Sequence, residues 1–398
     1  MNRYRQKPAW RIWAFAVLCT PLVNLAAAAK GEDNAALLYY QAFIRCPPFD
    51  SFPWEVQSAV FKGTAAAKDV RKYVEQSRDV IQLIEAGSRI SRCDWAIPSL
   101  QASELQISVQ LREKTVIFLV GADASVLATD GHYREAFERL LTLRRFAAHS
   151  GNEPNLGSAV PWLAEWFAIY FMGRVLDVMP PEKEVLTWLR TELTYETPTC
   201  KWMMNVLRAN FERTLRFLRT DGEAIPRLRR IIPTMATETY KAKQRAWSNL
   251  TDEQLVSLIE EPYAKFLNDV AEALAVDMPY EQEYRKLDEL VEAMKKEARD
   301  NPAIISDWTK QAEEVGVCDA TREKAALNAL RAAIQACVVV AENGQLPEAL
   351  PEGAPKDPFS GRDFEYERTP SGFILRCRIK PVERDKPWEF EFKVREKN

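Results

Sequence analysis

Apolar positions recur every three or four residues from Asp33 to about Glu342, and this spacing predicts a long series of amphipathic helices. The first covers residues 33–45, with Ala36, Leu37, Tyr40, Phe43 and Ile44 on one side and Pro47-Pro48 as its stop. Helices over 53–61 and 69–86 follow, the second terminated by Gly87. A loop holding Cys93, Asp94, Trp95 and Pro98 leads to a longer helix over 103–129, and a turn at Asp130-Gly131 opens another that ends at His149. Residues 154–178 leave almost no polar face, which predicts burial on several sides. After Pro180-Pro181 the pattern gives helices over 182–193, 199–220, 251–276, 279–300 and 321–342. Thr251-Asp252-Glu253-Gln254 fits a capping box, and Pro279 suits a first helical turn.

Beyond Asn343-Gly344 the period changes from helical to alternating. Four prolines punctuate an extended connection, and runs at 364–367, 373–379 and 388–394 predict strands. The last sets Trp388, Phe390, Phe392 and Val394 against Glu389, Glu391 and Lys393, one buried face and one wet. Pro370-Ser371-Gly372 marks a hairpin turn. Three strands alone are marginal, so the helix over 321–342 is expected to cover them. The fold class expected is mainly α: an antiparallel helix-pair, repeat-like body with a small C-terminal α+β module of about three antiparallel strands. Its expected divisions are a signal peptide at 1–29, the helical body at 30–318 and the module at 319–398.

The signal reading rests on Arg3, Arg5, Lys7 and Arg11, an apolar stretch over 12–25, and the small residues Ala27 and Ala29 before the cut. Pro21 and Asn24 interrupt the run, which favours cleavage over an uncleaved membrane anchor. No later segment approaches spanning length by this reading, so a soluble mature chain in the periplasm or cell envelope is expected. Cleavage takes the net charge from −3 to −7, which together with export excludes nucleic acid as a partner. Only 14 glycines among 398 residues argue against a large doubly wound α/β enzyme. Two histidines, His132 and His149, exclude a multi-histidine metal site, and no cofactor is expected.

Six cysteines remain after the signal: Cys46, Cys93, Cys200, Cys318, Cys337 and Cys377. An even count in an exported chain suits disulfides, with buried thiols as the alternative. Cys337 is expected to bridge to Cys377, from the covering helix to a strand beneath it. Cys46 is expected to fasten the first helix to Cys93, which leaves Cys200 for Cys318.

Gly131-His132-Tyr133-Arg134-Glu135-Ala136, with Ala124 and Leu127 before it, resembles one tetratricopeptide repeat, which implies helix pairs stacked side by side. Asn343-Gly344-Gln345-Leu346-Pro347 and Pro355-Lys356-Asp357-Pro358-Phe359-Ser360-Gly361 resemble the helix-plus-sheet ending of pseudopilins, without the methylation motif that pilus assembly requires. Asn34-Ala35-Ala36-Leu37-Leu38-Tyr39-Tyr40, Arg92-Cys93-Asp94-Trp95, Leu143-Arg144-Arg145-Phe146-Ala147-Ala148-His149 and the Asp357-to-Gly361 run together resemble large exported proteins of planctomycete-type bacteria. That resemblance implies export and carries no activity with it.

Charge is unevenly spread. Residues 201–249 carry a net +7 and residues 251–319 a net −11. Arg208, Arg216, Arg219, Arg227, Arg229 and Arg230 offer a face for a polyanion, or neighbouring helices of opposite charge satisfy each other. Glu260-Glu261, Glu281 with Glu283, and Glu313-Glu314 are the acid/base candidates. Trp95, Trp247 and Trp308 sit in polar contexts and are candidates for stacking on sugars. His149 reads as a charged cap at a helix C-terminus. These features predict an exported, non-enzymatic interaction or envelope-associated protein with a protein or envelope polymer as partner. The alternative is an all-helical carbohydrate-active hydrolase using paired carboxylates.

Overall fold

The computed structural model describes residues 34–46, 53, 56–58, 68–96, 102–153, 159–194, 199–226, 228–229, 249–275, 278–300, 320–381 and 384–395. The expected signal peptide lies outside them. The fold is mainly α with one small three-stranded antiparallel sheet at the C-terminus, as the periodicity predicts. Two compact units divide it. One comprises residues up to Glu192 with 340–344 and Phe392 onward; the other comprises Leu193–Val339 and Gln345–Glu391.

In the first unit, α1 (Ala35–Arg45) packs on α3 (Arg78–Ser88). Asn34 caps α1, its Oδ1 accepting from the Ala36 N–H at 3.2 Å. The single helix expected over 69–86 is two, α2 (Lys68–Gln76) and α3, broken at Ser77. Gly87 does not end α3 but lies inside it. A Cβ there would stand 2.7 Å from the Tyr39 ring of α1, so glycine is required for the close approach of the two helices. Then α4 (Ala102–Thr129) and α5 (Tyr133–Gly151) form a hairpin through Gly131, which holds φ +83°, a conformation that suits glycine. The apolar α6 (Ala159–Val178) packs on both, burying Ala164, Phe167, Phe171, Met172 and Val175, and α7 (Lys183–Glu192) rests against α5.

In the second unit, α8 (Thr199–Thr220), α9 (Asp252–Ala275) and α10 (Tyr280–Asp300) pack in sequence around an apolar core. Phe211 and Leu215 of α8, Ile259, Tyr263 and Phe266 of α9, and Leu287 and Met294 of α10 belong to it. The capping box forms as its sequence predicts. The Thr251 N–H donates to Gln254 Oε1 at 2.9 Å, and the Gln254 N–H donates to Thr251 Oγ1 at 3.2 Å.

The tail begins with α11 (Ala320–Asn343) and continues into β1 (Glu365–Thr369), β2 (Gly372–Arg376) and β3 (Glu389–Lys393), in the order β1-β2-β3. Thr369 pairs with Gly372 across the Pro370-Ser371 turn. Phe373 and Leu375 of the central strand are fully buried. Asn328 of α11 donates to the Lys356 carbonyl at 2.8 Å, and the Arg322 guanidinium lies 5.2 Å from the Trp388 ring centre. Contrary to the expectation that nothing after the signal reaches spanning length, Thr321–Asn343 is long and apolar enough to cross a membrane. Its apolarity has a use within the fold, since Ala325, Leu330, Ala333, Ile334 and Cys337 are buried.

Candidate functional site

Three of the segments singled out in the sequence, 34–40, 92–95 and 143–149, meet in one place in the first unit. Asn34 binds the backbone of Asp94 twice, donating to its carbonyl and accepting from its N–H, both at 2.9 Å. Trp95 stacks between Tyr39 and Phe43, at 5.4 and 6.1 Å between ring centres, and Tyr40 and Phe146 complete the aromatic cluster. The Tyr40 hydroxyl donates to the Trp95 carbonyl at 2.6 Å, and Trp95 Nε1 donates to the His149 carbonyl at 3.1 Å. Trp95 is therefore core, 1% exposed, and presents no face to a sugar. His149 is not the charged cap expected. Its Nδ1 lies 2.8 Å from the Tyr39 hydroxyl, and burial pushes its pKa down to about 4, so the ring is neutral at pH 7. These polar groups satisfy one another, which makes the cluster a latch that closes α1 and the loop after α3 onto α5.

Next to it, Glu113 of α4 is fully buried, and its Oε1 accepts from the Ser150 hydroxyl at 2.9 Å. Burial raises its carboxyl to about 8. Its Oε2 has no hydrogen-bond partner, an arrangement that a neutral carboxyl tolerates far better than an ion. Asp123, also on α4 and fully buried, is held by Arg78 at 3.0 Å and Arg139 at 2.7 Å. Arg144 of α5 and Glu165 of α6 form a second buried ion pair at 2.7 Å.

None of Cys46, Cys93, Cys337 and Cys377 is joined in a disulfide, so neither the Cys46–Cys93 nor the Cys337–Cys377 bridge is present. The side chains face different partners. Cys46 bonds Thr115, and burial drives its thiol up to about 12. Cys93 meets the backbone of Ala36. Cys337 lies by Tyr366, whereas Cys377 bonds the carboxylate of Asp357. Burial raises Cys93 and Cys377 as well, so these thiols lack nucleophilic thiolate character at neutral pH. The side chains of Cys200 and Cys318 lie outside the described residues.

Asp357 explains the run Asp357-Pro358-Phe359-Ser360-Gly361. Its buried carboxylate accepts from the Phe359 N–H at 3.0 Å, the Ser360 hydroxyl at 2.6 Å and the Arg378 N–H at 2.9 Å, which pins the loop to the end of β2. Phe359 then packs edge-on to Tyr280 of α10, 4.6 Å between centres. The motif is a fastening.

The basic stretch turns inward in part. Arg219 reaches Glu260 at 2.7 Å and Glu253 at 3.4 Å, and Arg229 reaches Asp252 at 2.8 Å. Opposite charges on successive helices thus meet, the alternative to a polyanion face. Arg208 and Arg216 are exposed on α8, while Arg227 and Arg230 lie outside the described residues. Glu281 pairs loosely with Arg285 at 3.9 Å. Glu313, Glu314, Trp247 and Trp308 also lie outside the described residues, and the candidate carboxylates Glu260 and Glu261 divide, the first to Arg219 and the second to a groove.

That groove runs between α9 and α10 and encloses about 400 Å³. Pro262 sits inside α9, where a proline has no N–H for the helix ladder and crowds the preceding turn. Phe266 and Met294 form the buried floor, with Leu290 half-buried beside them. Residues 290, 293, 294 and 297 share one face of α10 by their helical spacing, and the small Ala293 leaves the space open. At the rim, Lys265 is paired with Asp269 on its own helix, while Glu261 and Glu297 stand exposed, one on each wall. Periodicity marked these helices, but it gave no sign that their facing surfaces leave a gap. Pro262 within a helical pattern was the one available signal. No family model, curated protein or solved structure matches the chain.

Proposed function

We propose that this is an exported protein of the periplasm or cell envelope that acts by binding rather than by catalysis, and that the groove between α9 and α10 is its working surface. One observation carries the reading: an open cavity of about 400 Å³ with an apolar floor and charged groups only at its rim, which is the anatomy of a binding site. The raised thiols of Cys46 and Cys93 support it, because burial withholds a thiolate nucleophile from them near neutral pH, and the imidazole of His149 is a weakened base already engaged at the Tyr39 hydroxyl. The test is a photo-reactive benzoylphenylalanine at Ala293, compared in intact cells with the same group at the exposed Asp288, on the opposite face of α10 by helical spacing. A discrete adduct at Ala293 alone is expected, and one that disappears when Glu297→Lys is added. The same adducts at both positions, or none, overturn the reading.

A second reading, glycoside hydrolysis, is favoured by Glu261 and Glu297 on the two walls of one groove, the kind of arrangement that two-carboxylate hydrolysis needs. Sugar release from envelope polysaccharide that vanishes in both Glu261→Gln and Glu297→Gln would replace the first reading with this one.

A further inference from the structure

Resting on the groove as a binding site, we infer that its occupant is a cationic amphipathic segment of another protein, an apolar anchor side chain flanked by Lys or Arg. The groove is bounded by two helices and floored by Phe266, Leu290 and Met294, so an apolar side chain entering it leaves water for a surface that is already close-packed below. Methionine suits such a floor because its unbranched thioether adapts to different anchors. A cavity of about 400 Å³ holds an anchor and part of its neighbours, not a folded domain.

The rim decides the charge of what flanks the anchor. Lys265 is neutralised by Asp269 one turn on, so the charge left over at the mouth is that of Glu261 and Glu297. These two project from different helices and bracket the opening, placed to meet basic side chains on both sides of one anchor. The wider field points the same way, since residues 251–319 carry a net −11. A polyanion would be repelled here, and a neutral apolar peptide would leave both carboxylates facing nothing. Arg219 and Arg229 do not neutralise this rim: they are engaged at Glu253, Glu260 and Asp252, none of which lines the groove.

The experiment is a fluorescence-anisotropy titration of the full mature chain with three labelled helical peptides, of Leu with Lys, Leu with Gln, and Leu with Glu. The Lys peptide is expected to bind best and to weaken with added salt. Glu261→Lys with Glu297→Lys is expected to weaken it on the order of tenfold or more, and both sites are exposed, so the fold survives the change. Glu281→Lys with Asp288→Lys, exposed on the face of α10 that helical spacing turns away from residues 290, 293 and 297, is expected to have a much smaller effect. An equal effect there means general attraction to an acidic surface and overturns the proposal. So does a Gln peptide that binds as well as the Lys peptide, or a Lys peptide that does not bind. In each of those cases a surviving Ala293 adduct leaves the groove reading in place, and its loss takes that reading down too.

Discussion

The helices of the first unit and the α8–α10 core solve the same packing problem with opposite treatments of charge. In the first unit Arg112, Glu113, Asp123, Arg144 and Glu165 are all buried between helices. In the α8–α10 core the buried residues are apolar, and the ion pairs of Arg219 and Arg229 lie at the surface. Buried charges fix which helices meet and in what register, because each must find its partner or remain uncompensated. An apolar core is more forgiving of how its helices lie. It is in this second region, where sliding and repacking cost least, that the two facing helices leave a groove.

The largest effect that tests this contrast is at Asp123. Removing its carboxylate in Asp123→Ala leaves Arg78 and Arg139 without the ion that joins them, while Glu85 still reaches Arg139. Breaking a buried pair in this way costs about 3 kcal/mol or more. With two units a single unfolding transition is not assured, so the readout is pulse-labelling hydrogen exchange in urea, followed peptide by peptide. The midpoint of α3, α4 and α5 should fall and that of α9 and α10 should stay. A joint fall of both would show that the units unfold as one.

The next is pH. Burial raises Glu113 from 4.5 to about 8, so the folded unit keeps a proton that the unfolded chain gives up. Its contribution is complete below pH 4.5 and is lost as pH rises through 8. Burial lowers His149 from 6.5 to about 4, so its contribution is complete above 6.5 and is lost as pH falls through 4. From about pH 4.5 to 6.5 the two slopes offset each other; from pH 6.5 to 8 Glu113 acts nearly alone and removes roughly 1–2 kcal/mol. The first unit should thus be level in acid and weaken toward pH 8, whereas Glu113→Gln should instead rise from pH 4 to 6.5 and then hold. The same urea midpoints taken across pH decide it, and an unchanged profile in Glu113→Gln would remove the buried carboxyl from the account.

What could be read in advance follows from how local each signal is. The Thr251/Gln254 box is made by residues three apart, so the start of α9 was legible, as was the alternation that makes β3. The break at Ser77 was not, because Val70, Val74, Val80 and Ile84 keep a helical rhythm across it and no glycine or proline marks the turn. Gly87 was misread for the opposite reason: a residue type that usually ends helices is there to admit the ring of Tyr39, 48 positions earlier. His149 and Trp95 look polar and exposed in their own neighbourhoods and are buried only by each other and by α1. The groove is the extreme case. Glu261 was visible as one of two adjacent acids, but only the packing of α9 on α10 sets it across from Glu297.

The smallest effect is the most direct check on the charges of the second unit. Arg219 bridges α8 to Glu253 and Glu260 of α9, yet its side chain is 42% exposed and Glu253 is 72% exposed. Water screens such a pair and competes for both ends, so Arg219→Ala should lower the α9 and α10 midpoint by only about 0.2–1 kcal/mol. The comparison with Asp123→Ala turns on burial alone, since both changes remove a charge that contacts two opposite ones. If Arg219→Ala cost as much as Asp123→Ala, surface pairing would be holding α8 to α9, and the apolar core would not be free to leave a groove open beside it.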